Sequence, residues 1–214
     1  MKKVSLIFFD LDGTLIDSKK DITHSVHHTL NALNLPPLSD ELIYSFVGNG
    51  VTPLIQQAIE SSGTASFEQA LEIFKTHYDA HCLDHTKLFP GVQHVLDAFA
   101  HKKMVIVTNK SQGFSEKIVK GLGLDRQTHG LHGGDTALPK KPSPDIIFHN
   151  LEKFGVSASD AVIVGDSHVD IETGKNAGIL TCGVTYGFRP KEELVKSGAD
   201  FIIDRPEELL RIFS

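Results

Sequence analysis

Val4-Ser5-Leu6-Ile7-Phe8-Phe9 runs almost without a polar residue into Asp10-Leu11-Asp12-Gly13. A short continuous apolar run closed by turn residues is the pattern of a strand buried on both faces, and such strands belong to parallel sheets covered by helices. The pattern recurs. Met104-Val105-Ile106-Val107 ends in Thr108-Asn109-Lys110, and Ala161-Val162-Ile163-Val164 ends in Gly165-Asp166-Ser167. Leu180 to Val184 and Phe201-Ile202-Ile203 are weaker copies. Helical periods lie between them: Val92, Val95, Leu96 and Phe99 follow i, i+3, i+4, i+7, and Ser143-Pro144 reads as the N-cap and first residue of a helix running to Phe154. Strand and helix therefore alternate from about residue 88 to the C-terminus. This predicts an α/β fold, a doubly wound Rossmann-like parallel sheet with helices on both faces.

Residues 17–87 break the alternation and carry helical signals alone. Ile22, Val26, Leu30 and Leu33 form one stripe, Ser39-Asp40-Glu41 caps a second helix, Thr52-Pro53 opens a third, and Phe67, Leu71, Phe74 and Tyr78 mark a fourth. Pro36-Pro37 and Phe89-Pro90-Gly91 supply breaks. The expected organisation is a core of residues 1–16 and 88–214 with an inserted all-helical domain at 17–87.

The chain of 214 residues, 40% hydrophobic and 22% charged, is long enough for a packed core and lacks the composition of a disordered protein. With 21 Lys+Arg against 27 Asp+Glu the net charge is −6, a field that repels nucleic acid and anionic membrane surfaces. Cys82 and Cys182, a hundred positions apart and outside any CxxC, read as buried small hydrophobes rather than a disulfide or a zinc site. Asp10 and Asp12 interrupt the apolar run after Met1-Lys2-Lys3 too early for a signal peptide, and no run approaches a membrane span. A cytoplasmic protein is expected.

In an open parallel sheet, ligands bind at the carboxyl ends of the strands, where strand order reverses. Three strands here end in reactive side chains. Asp10 and Asp12, at i and i+2, are sent to the same side by the two-residue period of an extended chain, with Leu11 pointing away. Thr108 and Asp166 bring a hydroxyl and a third carboxylate to that edge. Clustered carboxylates need a cation, and an all-oxygen set suits Mg²⁺. Lys141, before Pro142, supplies a fixed positive charge. Together these groups describe phosphoryl transfer through an aspartyl-phosphate.

Each residue alone has a plainer reading. Asp12-Gly13 is a common turn, Thr108 a strand-end hydroxyl, Lys141 a solvated charge, and Asp166 to Asp170 a helix cap. A calcium loop is excluded by Thr14 and Leu15, which stand where an acid or amide and a glycine are required. His77, His81 and His85 fall at i, i+4, i+8, a spacing able to bind a transition metal. The apolar Phe74 and Tyr78 beside them favour a packing role. His168 has no proton assigned by its spacing.

Asp10-Leu-Asp-Gly-Thr-Leu-Ile-Asp-Ser18, Thr108-Asn109, Lys141-Pro142 and Gly165-Asp-Ser-His-Val-Asp170 resemble, in order and spacing, the four motifs of the haloacid dehalogenase superfamily of phosphatases. Val47-Gly48-Asn49-Gly50, Phe89-Pro90-Gly91-Val92, Gly133-Gly134-Asp135-Thr136 and Gly183-Val-Thr-Tyr-Gly187 are similar to phrases of its phosphoglycolate phosphatase branch. The resemblance implies that Asp10 attacks phosphorus and that Asp12 acts as acid and then base. It also implies that Asp10, the Asp12 carbonyl and Asp166 bind Mg²⁺, with Asp170 behind them holding a metal-bound water or Lys141. Thr108, Asn109 and Lys141 would cradle the phosphoryl oxygens. Aspartate at both positions 10 and 12 points to hydrolysis of phosphate esters rather than dehalogenation or cation pumping. The helical domain would be a cap that closes over the site, with Gly48 and Gly50 approaching the substrate and backbone N–H groups there binding its carboxylate.

The expected activity is Mg²⁺-dependent hydrolysis of a small phosphomonoester, foremost 2-phosphoglycolate, by a monomer or homodimer. The alternatives are a pyrophosphatase or other small-phosphate phosphatase, a sugar phosphomutase, and a catalytically silent phosphate-sensing module.

Overall fold

A computed structural model describes all 214 residues. In chain order the elements are β1 (Leu6–Phe9), β2 (Ile16–Asp17), α1 (Lys19–Ala32), α2 (Asp40–Phe46), α3 (Val51–Ser62), α4 (Phe67–His81), β3 (Lys87–Leu88), α5 (Val92–Ala98) and β4 (Lys103–Val107). They continue with α6 (Gln112–Gly121), β5 (Leu131–His132), α7 (Asp145–Phe154), β6 (Ala161–Gly165), α8 (His168–Ala177), β7 (Leu180–Val184), α9 (Lys191–Ser197), β8 (Phe201–Ile203) and α10 (Leu209–Ile212).

Six strands form one parallel sheet in the order β5-β4-β1-β6-β7-β8. Its central strands β4, β1 and β6 are buried on both faces, Lys103 apart, as their apolar runs require. Ile7, Phe9, Met104, Ile106, Val162 and Val164 pack into one core, while Leu6, Phe8, Val105, Val107 and Ile163 pack into a second with Ile146, Ile147 and Leu151 of α7. The two sets alternate along each strand, so the period of two divides one run between two helix layers. The doubly wound fold read from the sequence is the fold observed.

β1 lies between β4 and β6, with Phe9 level with Ile106 on one side and Val164 on the other. The chain winds away in opposite directions from β1, which makes its carboxyl end the switch point of the sheet. Asp10, Thr108 and Asp166 all follow these three central strands.

β2 and β3 pair antiparallel, Ile16 with Leu88 and Asp17 with Lys87. Helices α1 to α4 therefore leave and rejoin the sheet region at one place. Just inside it the buried carboxylate of Asp21 in α1 accepts from the backbone N–H groups of His85 (3.0 Å) and Thr86 (2.8 Å), the Thr86 hydroxyl (2.7 Å) and bonds His85 Nδ1 (2.9 Å). The start of the helical segment is thereby fastened to its end. Ser39 and Ser66 cap α2 and α4 by accepting from Leu42 N and Gln69 N.

Several local expectations shift. α7 begins at Asp145 with Pro144 at the N-cap, one residue later than the Ser143-Pro144 reading. α3 starts at Val51, after Gly50 at φ 94°, which places Pro53 inside the first turn. β5 is two residues at the sheet edge, too short to show a period. α4 ends at His81 with Cys82 as C-cap, so His85 is off the helix. Both cysteines are free and buried, as read. No helix is long and apolar enough to cross a membrane.

Candidate active site

Asp10 continues β1 into the carboxyl edge of the sheet. Its Oδ1 accepts from Leu11 N at 2.7 Å and lies 2.9 Å from Lys141 Nζ. The same ammonium lies 2.6 Å from Asp170 Oδ1, and its side chain is 2% exposed. Asp170, in the first turn of α8, uses Oδ2 to accept from Ser167 N (3.1 Å) and Ser167 Oγ (2.7 Å). It therefore caps the helix and positions Lys141 at once. Asp166 accepts from Phe188 N at 2.6 Å through Oδ2. Glycine is required on both sides of it: a Cβ on Gly13, whose φ is 81°, would stand 2.2 Å from Asp166 Oδ2, and one on Gly187 would stand 2.3 Å from Asp166 Cβ.

Asp10, Asp166 and Asp170 are buried, and an oxygen from each lies within 4.8 Å of the others. Burial pushes the Asp10 carboxyl up to about 7, with Lys141 opposing and Asp170 adding to the rise. Burial also raises Asp166 well above the carboxylate range, reinforced by Asp170 and Asp10. Burial works against the Lys141 charge, but the two carboxylates outweigh it and raise its pKa. A hard divalent cation suits this donor set, because it offsets both the burial and the mutual repulsion of the acids. Asp170 is fully engaged by Lys141 and Ser167, which leaves Asp10 and Asp166 as the carboxylates with an oxygen to offer.

Asp12 reaches the same cleft but not the same partners. Its carboxylate accepts from Ser18 Oγ at 2.5 Å and from Lys110 Nζ at 3.1 and 3.0 Å. The Lys110 ammonium is largely covered, lies 4.8 Å from the Tyr78 ring centroid, and has its pKa raised because Asp12 outweighs the effect of burial. The sequence reading passed over Lys110, since a lysine after Thr108-Asn109 looks like a surface charge.

Thr108 Oγ1 accepts from Lys110 N at 3.2 Å. Asn109 Nδ2 donates to the Lys141 carbonyl (3.2 Å) and the Gly48 carbonyl (3.3 Å), while its buried Oδ1 has no partner. Gly50 packs so closely that a Cβ would stand 2.9 Å from Asn109 O. The end of α2 and the loop after it meet the core through their carbonyls: Arg189 donates to Ser45 O (2.8 Å) and Val47 O (2.5 Å), and Lys140 to Asn49 O (3.0 Å). The sequence expectation gave this loop's N–H groups to substrate. The contacts observed are made by its carbonyls, and they hold the helical segment against the core.

These residues line an open cleft between the sheet edge and the helices. Asp10, Asp12, Thr108, Asn109, Lys110 and Asp166 line its core side, and Ile22, Gly48, Gly50, Leu54, Phe74 and Tyr78 its helical side.

The histidine triplet does not converge. His77 Nδ1 bonds Ser25 Oγ at 3.0 Å and its ring stacks between His28 (4.1 Å) and His81 (4.4 Å), whereas His85 turns to Asp21. His168 Nδ1 lies 2.6 Å from Glu193 Oε1 and joins α8 to α9.

A family model described as haloacid dehalogenase-like hydrolase matches residues 7–184, from β1 to the end of β7. This chain belongs to that family. The hydrolase is 35% identical over 209 residues to the phosphoglycolate phosphatase of Aquifex aeolicus, across 97% of this chain and 95% of that one. It is 36% identical over 220 residues to the phosphoglycolate phosphatase of Vibrio parahaemolyticus, across 98% and 96%. Among solved structures it superposes on a predicted phosphoglycolate phosphatase from Haemophilus somnus with a TM-score of 0.93 at 30% identity, covering 99% of both chains. The likeness to phosphoglycolate phosphatases read from the motifs therefore holds over the whole length of this haloacid dehalogenase-like hydrolase.

Proposed function

We propose that the hydrolase removes phosphate from a small phosphomonoester, with 2-phosphoglycolate as substrate, in two steps through Asp10. The observation that carries the reading is the placement of Asp10 at the switch point, 2.9 Å from a buried ammonium and within 4.8 Å of two further carboxylates, with Asp12 facing the same cleft. Both contacts of Asp10 fall on Oδ1, so Oδ2 is the oxygen for attack. Attack forms the Oδ2–P bond as the P–O bond to the leaving group breaks, and Asp12 gives its proton to the departing alkoxide. Asp12 then takes a proton from water, which attacks phosphorus and restores Asp10 with release of inorganic phosphate.

Thr108, the Asn109 backbone and Lys141 cradle the phosphoryl oxygens, with Lys141 supplying positive charge where negative charge grows. Asp10, the Asp12 carbonyl and Asp166 would hold Mg²⁺, and Asp170 orients Lys141. When bound, the cation neutralises the phosphoryl oxygens and the carboxylates together. The helices at 17–87 act as the cap, with Gly48 and Gly50 at its contact with the core. A cleft wall made of Ile22, Leu54, Phe74 and Tyr78 supports a compact organic leaving group over a second phosphoryl group.

The test is release of phosphate from 2-phosphoglycolate by wild type and Asp10→Asn. The amide neither attacks nor serves as an anionic ligand, so turnover should vanish while the fold persists. Residual activity above about a thousandth of wild type rules out Asp10 as nucleophile, since a lost covalent route costs several kcal/mol at ~1.4 kcal/mol per tenfold.

A further inference from the structure

Two cations line the cleft, and they are used differently. Arg189 is bound to the carbonyls of Ser45 and Val47. Lys110 instead sits on Asp12, 3.0 and 3.1 Å from its two carboxylate oxygens, with the Tyr78 ring centroid 4.8 Å away. One ammonium thus covers both oxygens of the group that must meet the leaving oxygen.

We infer that Lys110 is the specificity-determining residue for the leaving group, taking the carboxylate of a phosphate ester whose acid carbon lies one carbon from the ester oxygen. The substrate class is the phosphate esters of 2-hydroxy carboxylic acids, of which 2-phosphoglycolate is the smallest. This rests on the proposed role of Asp12 and adds the residue that selects the substrate. The reach fits. In such an ester the carboxylate carbon is only about 2.4 Å from the ester oxygen, by ordinary bond lengths and angles. An ester oxygen in hydrogen-bond contact with Asp12 therefore brings the carboxylate to the Lys110 ammonium.

The surroundings supply the discrimination. The Lys110 side chain is 8% exposed and its ammonium lies over the Tyr78 ring, so its charge needs a partner wherever it goes. A leaving group with a carboxylate provides one and releases an Asp12 oxygen for the ester oxygen. A neutral leaving group provides none, and Lys110 stays across Asp12. A site with a buried polar group built for one substrate group rejects the analogue that lacks it far more strongly than an apolar pocket does.

The experiment compares kcat/KM for 2-phosphoglycolate and ethyl phosphate in wild type, Lys110→Met and Lys110→Arg, with folding checked by circular dichroism. Wild type should favour phosphoglycolate. Lys110→Met should reduce that preference by at least about thirtyfold, the lower end for truncating one partner of a buried charge pair, and Lys110→Arg should keep most of it. A preference unchanged within threefold in Lys110→Met, with both substrates slowed alike, overturns the inference and leaves the proposed hydrolysis standing. Wild type without any preference for phosphoglycolate overturns the substrate reading as well. Should Lys110→Met fail to fold, glycolate and ethylene glycol are compared as inhibitors of aryl phosphate hydrolysis by wild type. Inhibition by glycolate at least tenfold stronger supports the carboxylate contact, and equal inhibition refutes it.

Discussion

Replacing Lys141 by Met removes the one cation that two buried carboxylates share. Its ammonium lies 2.9 Å from Asp10 and 2.6 Å from Asp170, with 2% of the side chain exposed. Truncating one partner of a buried ion pair costs about 3–5 kcal/mol because the remaining charge loses its compensation. In a chain of this size each kcal/mol moves the melting point by roughly 2–4 °C. Lys141→Met should therefore lower Tm by about 6–20 °C in the presence of a chelator, which keeps divalent cations from substituting for the lost charge. The mechanism makes a second, sharper claim. Asp170→Asn keeps an oxygen to accept from Ser167 but removes the stranded charge, so the double variant should recover at least half of the loss. Thermal unfolding followed by circular dichroism measures both. A drop under about 3 °C, or a double variant as unstable as the two single losses added together, refutes the shared-cation account.

Arg189→Ala removes two charge-assisted bonds to the end of α2 and Val47 and should weaken the contact between the helical segment and the core by about 1–2 kcal/mol once their partial exposure is allowed for. Steady-state kinetics should show KM rising roughly 5–30-fold, with a smaller change in kcat; an unchanged KM removes the latch. For Asp21, burial alone would raise the pKa, and the bonds from His85 and Thr86 more than reverse it, leaving the group below its ordinary value. Its stabilising effect is thus complete above the unfolded pKa near 3.9 and is lost as pH falls through the lower folded value. The stability difference between wild type and Asp21→Asn should accordingly shrink as pH falls below about 4 in urea titrations, and a difference that grows instead contradicts the sign. Turnover should cease in chelator and return with Mg²⁺ or Mn²⁺. Ca²⁺, with bonds of about 2.3–2.6 Å against 2.0–2.1 Å for Mg²⁺, should inhibit, and stimulation by Ca²⁺ equal to that by Mg²⁺ argues against the ligand set.

The strands and the acids that follow them were legible because both are local. A strand buried on two faces must be apolar throughout its buried length, so the runs 6–9, 104–107 and 161–165 announce themselves, and the residue after each run necessarily lies at the sheet edge. The helices at 19–81 declared their apolar stripes for the same reason. What the sequence by itself determined, then, was the sheet, its helical insertion, and the clustering of Asp10, Thr108 and Asp166 at one edge. The tertiary structure decided how the charges pair. Lys110 meets Asp12 from 98 residues away, Arg189 grips carbonyls more than 140 residues distant, and Asp21 closes the base of the helical segment on residues 64 and 65 positions later. No local pattern marks such partners. A lysine, arginine or aspartate on a solvated surface is spelled as it is in a buried pair, and only the approach of two distant segments removes the water that makes the difference.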